Sequence, residues 1–460
     1  MTRAGSRLAP SVPAPLDTVA RLPADLVTAR VFEHGWQSWT PTTTYGIGET
    51  PIRPRDERLH RPGAQPGTRG AAGRFQGEGL LAVQPAGGAP VHVFAANSPL
   101  AAPVSITAAL EGASITVRAT DRVYHLVDEG TGGLDGALAR WADGFADRAG
   151  IGSIPRPPTA WCSWYHYFTD VTAADIEENL RAIETLALPV DVVQVDDGWQ
   201  AGIGDWTTFA PGFATFPDLV ARIRRAGRRA GAWIAPFLVG ARSATAIRHP
   251  DWLVADASGP ITVGRNWDQD LFALDTTHPA ASASLRDALE MLRGLGVSYV
   301  KADFVWAGAV PGRRHEPVQP LDAYRIGIEI VRDAIGDAYL LGCGAPVLPS
   351  VGLFDAMRVG PDTAPHWEPR SGDLSEPGAR SAMVTSAGRA FMHGRFWVND
   401  ADCLLARPGV ERREAWAVHV AACSGLRASS DRIRDLDDWG LRVTRAVLGT
   451  PAPPLLIPSA

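Results

Sequence analysis

Residues 281–306 read ASASLRDALEMLRGLGVSYVKADFVW, and this stretch carries the pattern that decides the fold. Leu285, Leu289 and Leu292 have the spacing of one helical face, which predicts an amphipathic helix. The helix runs into the short apolar segment VSYV, which is typical of a buried strand. Because a helix that leads directly into a buried strand is the repeating unit of a parallel sheet, we expect an α/β arrangement here.

The same unit recurs on both sides of this stretch. Six further apolar runs accompany amphipathic segments: TAWCSWYHYF, VDVVQVDDGW, GAWIAPFLVG, AYLLGCG, DAMRVGPDT and GRFWVNDADC. The helix predicted after Thr172 has Ile176, Leu180 and Ile183 on one face. Thr172 and Asp175 have the spacing of a capping box. Seven strands that end in polar residues favour a (β/α)8 barrel, and the absence of G-x-G-x-x-G and P-loop motifs weakens a doubly wound alternative.

The first part of the chain has a different pattern. Short β-like segments are separated there by Gly, Pro and Asn-Ser turns, which predicts an antiparallel β-sandwich. Residues 50–72 are rich in Pro, Arg and Gly and predict a long loop. We therefore divide the chain into an N-terminal tail (1–27), a β-sandwich (28–133), a connecting helix and linker (134–157), a barrel (158–430) and a short C-terminal segment (431–460).

Composition excludes several classes of partner. The chain has 460 residues, a formal net charge of -6, 45% hydrophobic and 20% charged residues, so we expect a globular protein that binds neither nucleic acid nor membrane. The N-terminus has no apolar core of a secretory signal, and the four cysteines match no zinc spacing, which together predict a cytoplasmic protein with reduced thiols. The 15 tryptophans against 7 tyrosines offer flat apolar faces that suit pyranose rings, with core packing as the alternative.

The carboxyl ends of the strands are where a parallel barrel places its reacting groups. Lys301 and Asp303 are two residues apart in YVKADF, so both side chains are expected to face the lumen. A cation there favours the ionised carboxylate that a nucleophile needs. A buried ion pair that only closes the barrel is the alternative.

Two further acidic positions follow strands. Asp362 lies in GPDTAPHW, where His366 and Trp367 are expected to desolvate the carboxyl and so raise its pKa, as a general acid requires. Taken alone, such an Asp is more often a turn residue. Its pairing with a second carboxylate from another strand gives the minimum apparatus of glycoside hydrolysis. Asp196 and Asp197 in VDDGWQ end another strand and could bind sugar hydroxyls, a metal ion or a helix N-terminus.

Taken together, these strings resemble glycoside hydrolase family 36, the α-galactosidase or melibiase family, and especially its shorter members. The matching strings run in family order: HGWQSW (34–39), WCSWYHYF (161–168), VDDGWQ (195–200), WIAPF (233–237), LDTTHP (274–279), YVKADFVWAGAVPG (299–312), GCGAPVLPSVG (342–352), MRVGPDTAPHW (357–367) and FWVNDADC (396–403). The resemblance implies an N-terminal β-supersandwich, a catalytic (β/α)8 barrel and a C-terminal antiparallel β domain. In place of that last domain this chain has only residues 431–460.

The resemblance also implies a role for each matched residue. Asp303 is expected to be the nucleophile and Asp362 the general acid/base. The residues expected to bind the sugar are Asp196, Asp197, Lys301 and Arg358 at its hydroxyls, Trp164, Tyr165, Trp233 and Cys343 around the pocket, and Trp36, which would reach over the barrel mouth from the sandwich.

The sequence therefore predicts a retaining, exo-acting α-galactosidase that hydrolyses small α-galactosides such as melibiose or raffinose-like sugars, without a cofactor or metal. Galactosyl transfer to a sugar acceptor and hydrolysis of α-N-acetylgalactosaminides are alternatives with related chemistry. A metal-dependent barrel hydrolase is an alternative of another class, with His166, Asp196, Asp197 and Asp303 as ligands, although the charge of Lys301 opposes a cation there. A noncatalytic sugar-binding relative is opposed by the presence of both carboxylates.

Overall fold

The computed structural model describes residues 16–54 and 70–450, in which two antiparallel sheets precede an eight-stranded parallel sheet. The loop predicted at residues 50–72 lies mostly outside the described residues, as do most of the predicted N-terminal tail and the last ten residues of the predicted C-terminal segment. The predicted order of a sandwich followed by a barrel is confirmed.

The N-terminal domain is a sandwich of two antiparallel sheets. Its strands are β1 (Asp17–Pro23), β2 (Arg30–Glu33), β3 (Thr43–Gly46), β4 (Arg74–Glu78), β5 (Leu80–Gln84), β6 (Val91–Ala96), β7 (Ser105–Glu111), β8 (Ser114–Ala119) and β9 (Val123–Asp128). One sheet has the order β1-β8-β7-β4 and the other the order β3-β2-β5-β6-β9.

The predicted boundary between tail and sandwich at residue 27 is wrong. Strand β1 pairs antiparallel with β8, so the sandwich includes residues from Asp17 onward. β1 is an edge strand with mostly exposed side chains, and it ends at Pro23. Because only one face of such a strand is partly covered, its sequence lacks the apolar alternation that makes a strand recognisable.

The five-stranded sheet is buried on both faces. Leu81 and Val83 of β5 face the four-stranded sheet, while Leu80 and Ala82 belong to the core shared with helix α1 (Gly133–Ala149). Trp141 of α1 lies in that second core, and α1 occupies the first part of the connecting segment predicted at residues 134–157. The helix therefore fills the space between the sandwich and the barrel.

The barrel consists of eight parallel strands. They are β10 (Ala160–Cys162), β11 (Val192–Val195), β12 (Arg229–Ile234), β18 (Val297–Ala302), β19 (Tyr339–Gly342), β20 (Ala356–Arg358), β21 (Val398–Asp400) and β22 (Ala428–Ser429). Their order in the sheet is β21-β20-β19-β18-β12-β11-β10-β22. The segment after β21 joins β22, because Leu404 N donates to Ala428 O over 2.7 Å and Ser430 N donates to Leu404 O over 3.2 Å.

Helices surround this sheet. They are α2 (Trp164–Tyr167), α3 (Ala173–Thr185), α4 (Phe216–Arg225), α5 (Ala244–Arg248), α6 (Pro279–Leu295), α7 (Pro320–Ile335), α8 (Ala379–Gly388), α9 (Arg413–Cys423) and α10 (Asp438–Gly449). The predicted capping box of Thr172 and Asp175 is present at the start of α3. Over the described ranges, no helix is long and apolar enough to cross a membrane.

The predicted end of the barrel at residue 430 is wrong. Helix α10 follows β22 and packs against it and against α9, so the barrel continues to Gly449. The eighth strand has only two residues, Ala428 and Ser429, and this is too short for a periodic signal. For that reason the sequence revealed seven strands and left the last helix outside the barrel.

A segment of the sandwich lies where a helix between β19 and β20 would stand. Only a short 3₁₀ helix, Leu348–Ser350, separates these strands. Beside it, Ser38 N donates to Ala345 O over 3.0 Å and Val347 N donates to Trp36 O over 2.9 Å. The first domain thus forms part of the barrel wall.

The connection after β12 carries additional strands. They are β13 (Leu238–Gly240), β14 (Ala255–Asp256), β15 (Gly259–Pro260), β16 (Thr262–Asn266) and β17 (Gln269–Ala273). β16 and β17 form an antiparallel hairpin, and β13 extends it to a three-stranded sheet. Because this connection leaves the carboxyl end of β12, the hairpin stands on the face where barrel chemistry occurs.

Candidate active site

Asp303 stands directly after β18, with Lys301 on the strand itself. Both residues are nearly buried, with exposed fractions of 6% and 5%. Trp233 of β12, which is opposite Lys301 in register, donates its indole N–H to Asp303 Oδ2 over 3.1 Å. Phe304 N donates to Asp303 Oδ1 over 2.7 Å, and Lys301 Nζ lies 3.6 Å from Oδ2. The carboxylate is therefore held in one orientation by groups from two neighbouring strands.

Lys301 also connects Asp303 to Asp196. Its Nζ lies 3.1 Å from Asp196 Oδ2, an oxygen that also accepts from Gln194 Nε2 over 2.6 Å and from Cys162 Sγ over 3.3 Å. Burial by itself lowers the pKa of Lys301, but the charges of Asp196 and Asp303 outweigh it and raise that pKa well above its usual value. The lumen thus holds a permanent cation between two carboxylates.

Asp197 points away from Lys301, toward the hairpin. Gln200 Nε2 donates to its Oδ1 over 2.6 Å, and Trp267 Nε1 donates to its Oδ2 over 2.7 Å. Burial raises the pKa of Asp197 to about 6, although these two hydrogen bonds lower it. The negative charges of Asp196 and Asp303 act in the same direction as burial. Adjacent carboxylates at one strand end therefore face different partners.

Arg358, at the end of β20, binds three carboxylates at once. Its Nη1 lies 3.0 Å from Asp362 Oδ1, its Nε 3.0 Å from Asp400 Oδ2 and its Nη2 2.8 Å from Asp402 Oδ1. Burial lowers the pKa of Arg358 while Asp400 and Asp402 raise it, and the net result lies well above the usual value. One cation is therefore shared by three carboxyl groups, of which two are almost completely buried.

Asp362 is the accessible member of this group, with 32% of its side chain exposed. Burial of its carboxyl raises its pKa, the cations Arg358 and Lys301 lower it, and the charges of Asp303 and Asp196 raise it further. The net direction is upward, which favours a protonated carboxyl. Asp303 and Asp362 both follow the carboxyl ends of barrel strands, and the charges of Lys301 and Asp303 act on Asp362, so the two predicted catalytic carboxyl groups lie at the same end of the barrel.

Asp402 lies beneath Asp362 and is fully buried. The Tyr165 hydroxyl donates to its Oδ2, which also accepts from Thr363 N over 2.8 Å, while Cys403 N donates to Oδ1 over 2.6 Å. Burial raises the pKa of Asp402 to about 7, although Arg358 lowers it. Tyr165, which was predicted to line the sugar pocket, therefore binds Asp402, the residue that shares Arg358 with Asp362.

Cys343 and Trp164 flank this arrangement. Cys343 follows β19, its backbone N donates to Ala302 O over 2.8 Å, and its thiol is buried. Burial raises the pKa of that thiol, and the charge of Asp303 raises it further. Trp164 is half-buried at the start of α2 and packs edge-on against the exposed ring of Phe168, with centroids 5.2 Å apart.

The prediction that Trp36 reaches over the barrel mouth is wrong. Trp36 is 5% exposed and packs in the interface between the domains, where it lines a narrow cavity with His34, Leu348 and other residues. Trp39, three residues later in the same motif, is half-buried and lies beside the loop that follows β18. Its ring centroid is 5.1 Å from that of Phe304, the residue after Asp303.

The four residues of the metal-site alternative are not brought together. His166 lies in α2, and its Nε2 is 3.8 Å from Asp435 Oδ2. The cation between Asp196 and Asp303 is the Lys301 ammonium. In the part of the chain that the structure covers, no three His, Cys, Asp or Glu side chains are grouped so that they could hold a metal ion.

Two aromatic residues of the site were not predicted from the sequence, Trp39 and Trp267. Trp39 belongs to the quoted HGWQSW motif, but the motif does not reveal which of its two indoles faces the barrel. Trp267 stands between the short runs TVGRN and QDLFA, whose two-residue separation is a hairpin signal. The signal was weak because the turn contains neither Asn-Gly nor Asp-Gly.

A separate cavity lies behind the wall of the site. Its volume is 440 Å³, and Trp206, Trp252 and Arg248 are among its lining residues. The Trp206 ring contacts that of Trp233, with centroids 5.9 Å apart, and so separates this cavity from Asp303. The predicted site residues do not line it.

Comparison with known proteins agrees with this arrangement. Residues 156–325 match the family model described as Melibiase. A probable alpha-galactosidase C from Aspergillus flavus is 25% identical over 258 residues, which are 51% of this chain and 33% of that protein. Alpha-xylosidase XylQ from Lactiplantibacillus pentosus is 30% identical over 168 residues, 33% of this chain and 21% of that protein. The chain thus spans about a third of the length of the first of these relatives.

A solved structure matches nearly the whole chain. The alpha-galactosidase TtGalA from Thermus thermophilus, in complex with p-nitrophenyl alpha-D-galactopyranoside, is 27% identical with a TM-score of 0.75. The match covers 96% of this chain and 91% of the Thermus chain. The same enzyme in complex with stachyose matches with a TM-score of 0.74.

Proposed function

Because the chain belongs to glycoside hydrolase family 36, the melibiase family, we propose that it is a retaining, exo-acting α-galactosidase. Its substrates are small α-galactosides with a terminal galactosyl group, of the melibiose or raffinose type. This extends to the present chain what is recorded for the Thermus enzyme, which binds p-nitrophenyl alpha-D-galactopyranoside and stachyose.

One observation carries the proposal. Asp303 and Asp362 follow β18 and β20 and lie at the same end of the barrel. Three donors, from Trp233, Phe304 and Lys301, surround the Asp303 carboxylate and hold it in one orientation. Burial raises the pKa of Asp362, which favours a protonated carboxyl. A fixed carboxylate and a second carboxyl group that can donate a proton are what a retaining glycosidase requires.

In the first step, a carboxylate oxygen of Asp303 attacks the anomeric carbon and forms a C–O bond. The bond between that carbon and the aglycone oxygen breaks, and Asp362 gives its proton to the leaving oxygen. In the second step, Asp362 takes a proton from water, and the water oxygen displaces Asp303 from the anomeric carbon. Two inversions release galactose with the α configuration retained.

The remaining predicted residues would hold the galactosyl ring. Asp196 binds Lys301 and Asp197 binds Trp267, and ionised carboxylates are strong acceptors for sugar hydroxyls. Lys301 and Arg358 are cations that cannot easily lose their protons, and so serve as donors. Trp39, which is half-buried beside Phe304, offers an apolar face for C–H groups of the ring, and Trp233 lies directly beside Asp303. The four free cysteines fit the cytoplasmic location that we also propose.

A panel of p-nitrophenyl glycosides tests the proposed activity. We expect hydrolysis of the α-galactoside, with much lower kcat/KM for the α-xyloside, the α-N-acetylgalactosaminide and the β-galactoside. The α-xyloside belongs in the panel because an α-xylosidase is among the relatives. A higher kcat/KM for any of these other glycosides would refute the substrate assignment. Incubation with melibiose and raffinose, with free galactose measured against oligosaccharide products, separates hydrolysis from transfer.

A further inference from the structure

The hairpin of β16 and β17 has an unusual turn. Asn266 pairs with Gln269 across the hairpin, so Trp267 and Asp268 are its two turn residues. Their φ angles are 48° and 54°, in the left-handed region. Such turns favour Asn-Gly or Asp-Gly, because side chains are unfavourable at positive φ. A tryptophan is retained there only where its surroundings hold it, and such positions concentrate at functional sites.

The surroundings of Trp267 are the residues that hold Asp303. Its ring centroid lies 6.4 Å from that of Trp233 at an interplanar angle of 63°, and 5.5 Å from that of Phe304 at 61°. Trp233 donates to one oxygen of Asp303, and the backbone of Phe304 donates to the other. The tip of the hairpin therefore stands against both supports of the proposed nucleophile.

The indole N–H of Trp267 has a polar partner at the same place. It donates to Asp197 Oδ2 over 2.7 Å, while Gln200 Nε2 donates to Asp197 Oδ1 over 2.6 Å. Each oxygen of Asp197 thus has one protein donor and retains acceptor capacity for a ligand hydroxyl. The two donors fix the plane of the carboxylate, and hence the direction in which those free acceptor sites point.

The hairpin backbone is held by contacts that do not involve the indole. Arg242 Nη2 donates to Trp267 O over 2.7 Å, and Arg242 N donates to Gln269 Oε1 over 2.9 Å. β17 also pairs with β13 at the base. Because these contacts remain when the side chain of Trp267 changes, a substitution of the indole tests its role in the site and leaves the hairpin in place.

We propose that Trp267 is a substrate-positioning residue, whose N–H orients Asp197 toward the galactosyl hydroxyls and whose ring closes the pocket wall between Trp233 and Phe304. This inference rests on the proposed function, since it assumes that the lumen binds a galactosyl group. Trp267 is half-buried, so part of its surface remains accessible. It acts through Asp197 and by contact with the sugar, and takes no part in bond making.

The test compares Trp267→Phe, Trp267→Ala and Asp268→Asn, the last as a control in the same turn. Trp267→Phe keeps a ring and removes the N–H, so KM for p-nitrophenyl α-galactoside and Ki for galactose should each rise about tenfold, the effect of losing a hydrogen bond to a charged group. The value of kcat should change far less. Trp267→Ala should raise both constants further, and Asp268→Asn should leave both as in the wild type.

Unchanged KM and Ki in Trp267→Phe, within about twofold of the wild type, would overturn the inference. A marked fall in melting temperature with normal sugar constants would overturn it as well, since that is the result expected of packing alone. Calorimetric titration with galactose needs no turnover and separates this inference from the proposed function. If the wild type binds galactose but has no hydrolase activity, the affinity of Trp267→Phe for galactose still tests the role of Trp267. A wild type that neither hydrolyses α-galactosides nor binds galactose overturns both.

Discussion

Trp233 donates its indole N–H to Asp303 over 3.1 Å from the neighbouring barrel strand. The nucleophile that we propose is therefore oriented by the strands of the barrel, and its position does not depend on a flexible loop. Such rigid support is how a site keeps a reacting atom within a fraction of an ångström of its productive position.

Replacement of Asp303 by Ala should abolish hydrolysis, with a loss of several orders of magnitude in kcat, as is usual when a nucleophile is removed. Sodium azide should restore turnover of an activated aryl galactoside by this variant and yield β-galactosyl azide, since azide attacks the face that Asp303 occupied. The matched control is Asp362→Ala, which still forms the galactosyl-enzyme and should yield α-galactosyl azide. If Asp303→Ala instead yields α-galactosyl azide and Asp362→Ala yields the β product, Asp362 is the nucleophile and Asp303 the acid/base.

The configuration of the first-formed product tests the mechanism independently of any variant. Proton NMR recorded before mutarotation should show α-galactose, because two displacements at the anomeric carbon restore its configuration. Initial β-galactose would instead require a single displacement by water. A chelator should leave the rate unchanged, because the cation between Asp196 and Asp303 is the Lys301 ammonium.

Replacement of Asp402 by Asn should move the basic limb of the kcat/KM profile to lower pH. The pKa of Asp402 is raised by burial to about 7, so its carboxyl is ionised only above that pH. When ionised, it shares Arg358 with Asp362 and so opposes the loss of the Asp362 proton. The Asn variant lacks that charge at every pH, so Asp362 should lose its proton at a lower pH. Below about pH 7 the kcat/KM profiles of wild type and variant should coincide.

Tyr165→Phe is the companion to that variant. The hydroxyl of Tyr165 donates to Asp402 and lowers its pKa, so its removal should keep Asp402 protonated to higher pH and shift the basic limb in the same direction, by less. Both variants need a melting curve, because the network is buried. An unchanged basic limb in two folded variants would show that Asp402 does not influence the acid.

The two tryptophans of the HGWQSW motif should separate stability from catalysis. Trp36→Ala removes a buried ring from the domain interface and should cost about 3–5 kcal/mol of unfolding free energy, with near-normal kinetics at low temperature. Trp39→Ala should raise KM with a smaller loss of stability, because its half-buried ring stands beside Phe304 at the site. Thermal melts and steady-state kinetics on both variants check this, and the reverse pattern would assign the site to Trp36.

Local spacing explains what could be predicted from the sequence. Side chains two residues apart on a strand point to the same face, and this spacing predicted that Lys301 and Asp303 lie together. In the structure Lys301 lies between Asp196 and Asp303. The helical spacing of Leu285, Leu289 and Leu292 likewise matched one buried face of α6. These inferences depend on neighbours along the chain, which the sequence displays directly.

What could not be predicted depends on contacts between distant segments. The partner of Lys301 at 3.1 Å is Asp196, which is more than a hundred residues away along the chain. Trp267 reaches the site only because its hairpin folds back over Asp197. Trp36 and Trp39 share one motif, and only the pairing of residues 36–38 with residues 345–347 decides which indole faces the barrel.

The buried guanidinium of Arg389 has a consequence for how the molecule unfolds. Its Nη1 and Nη2 donate to the backbone carbonyls of Gly35, Gln37, Ser38 and Thr40 in the sandwich and of Val359 in the barrel. Separation of the domains would break the hydrogen bonds to the four sandwich carbonyls and expose the surface that now covers the guanidinium. We therefore expect the barrel to depend on the sandwich for its stability. Calorimetry should record a single cooperative transition for the two domains, and a barrel expressed without its sandwich should fail to fold.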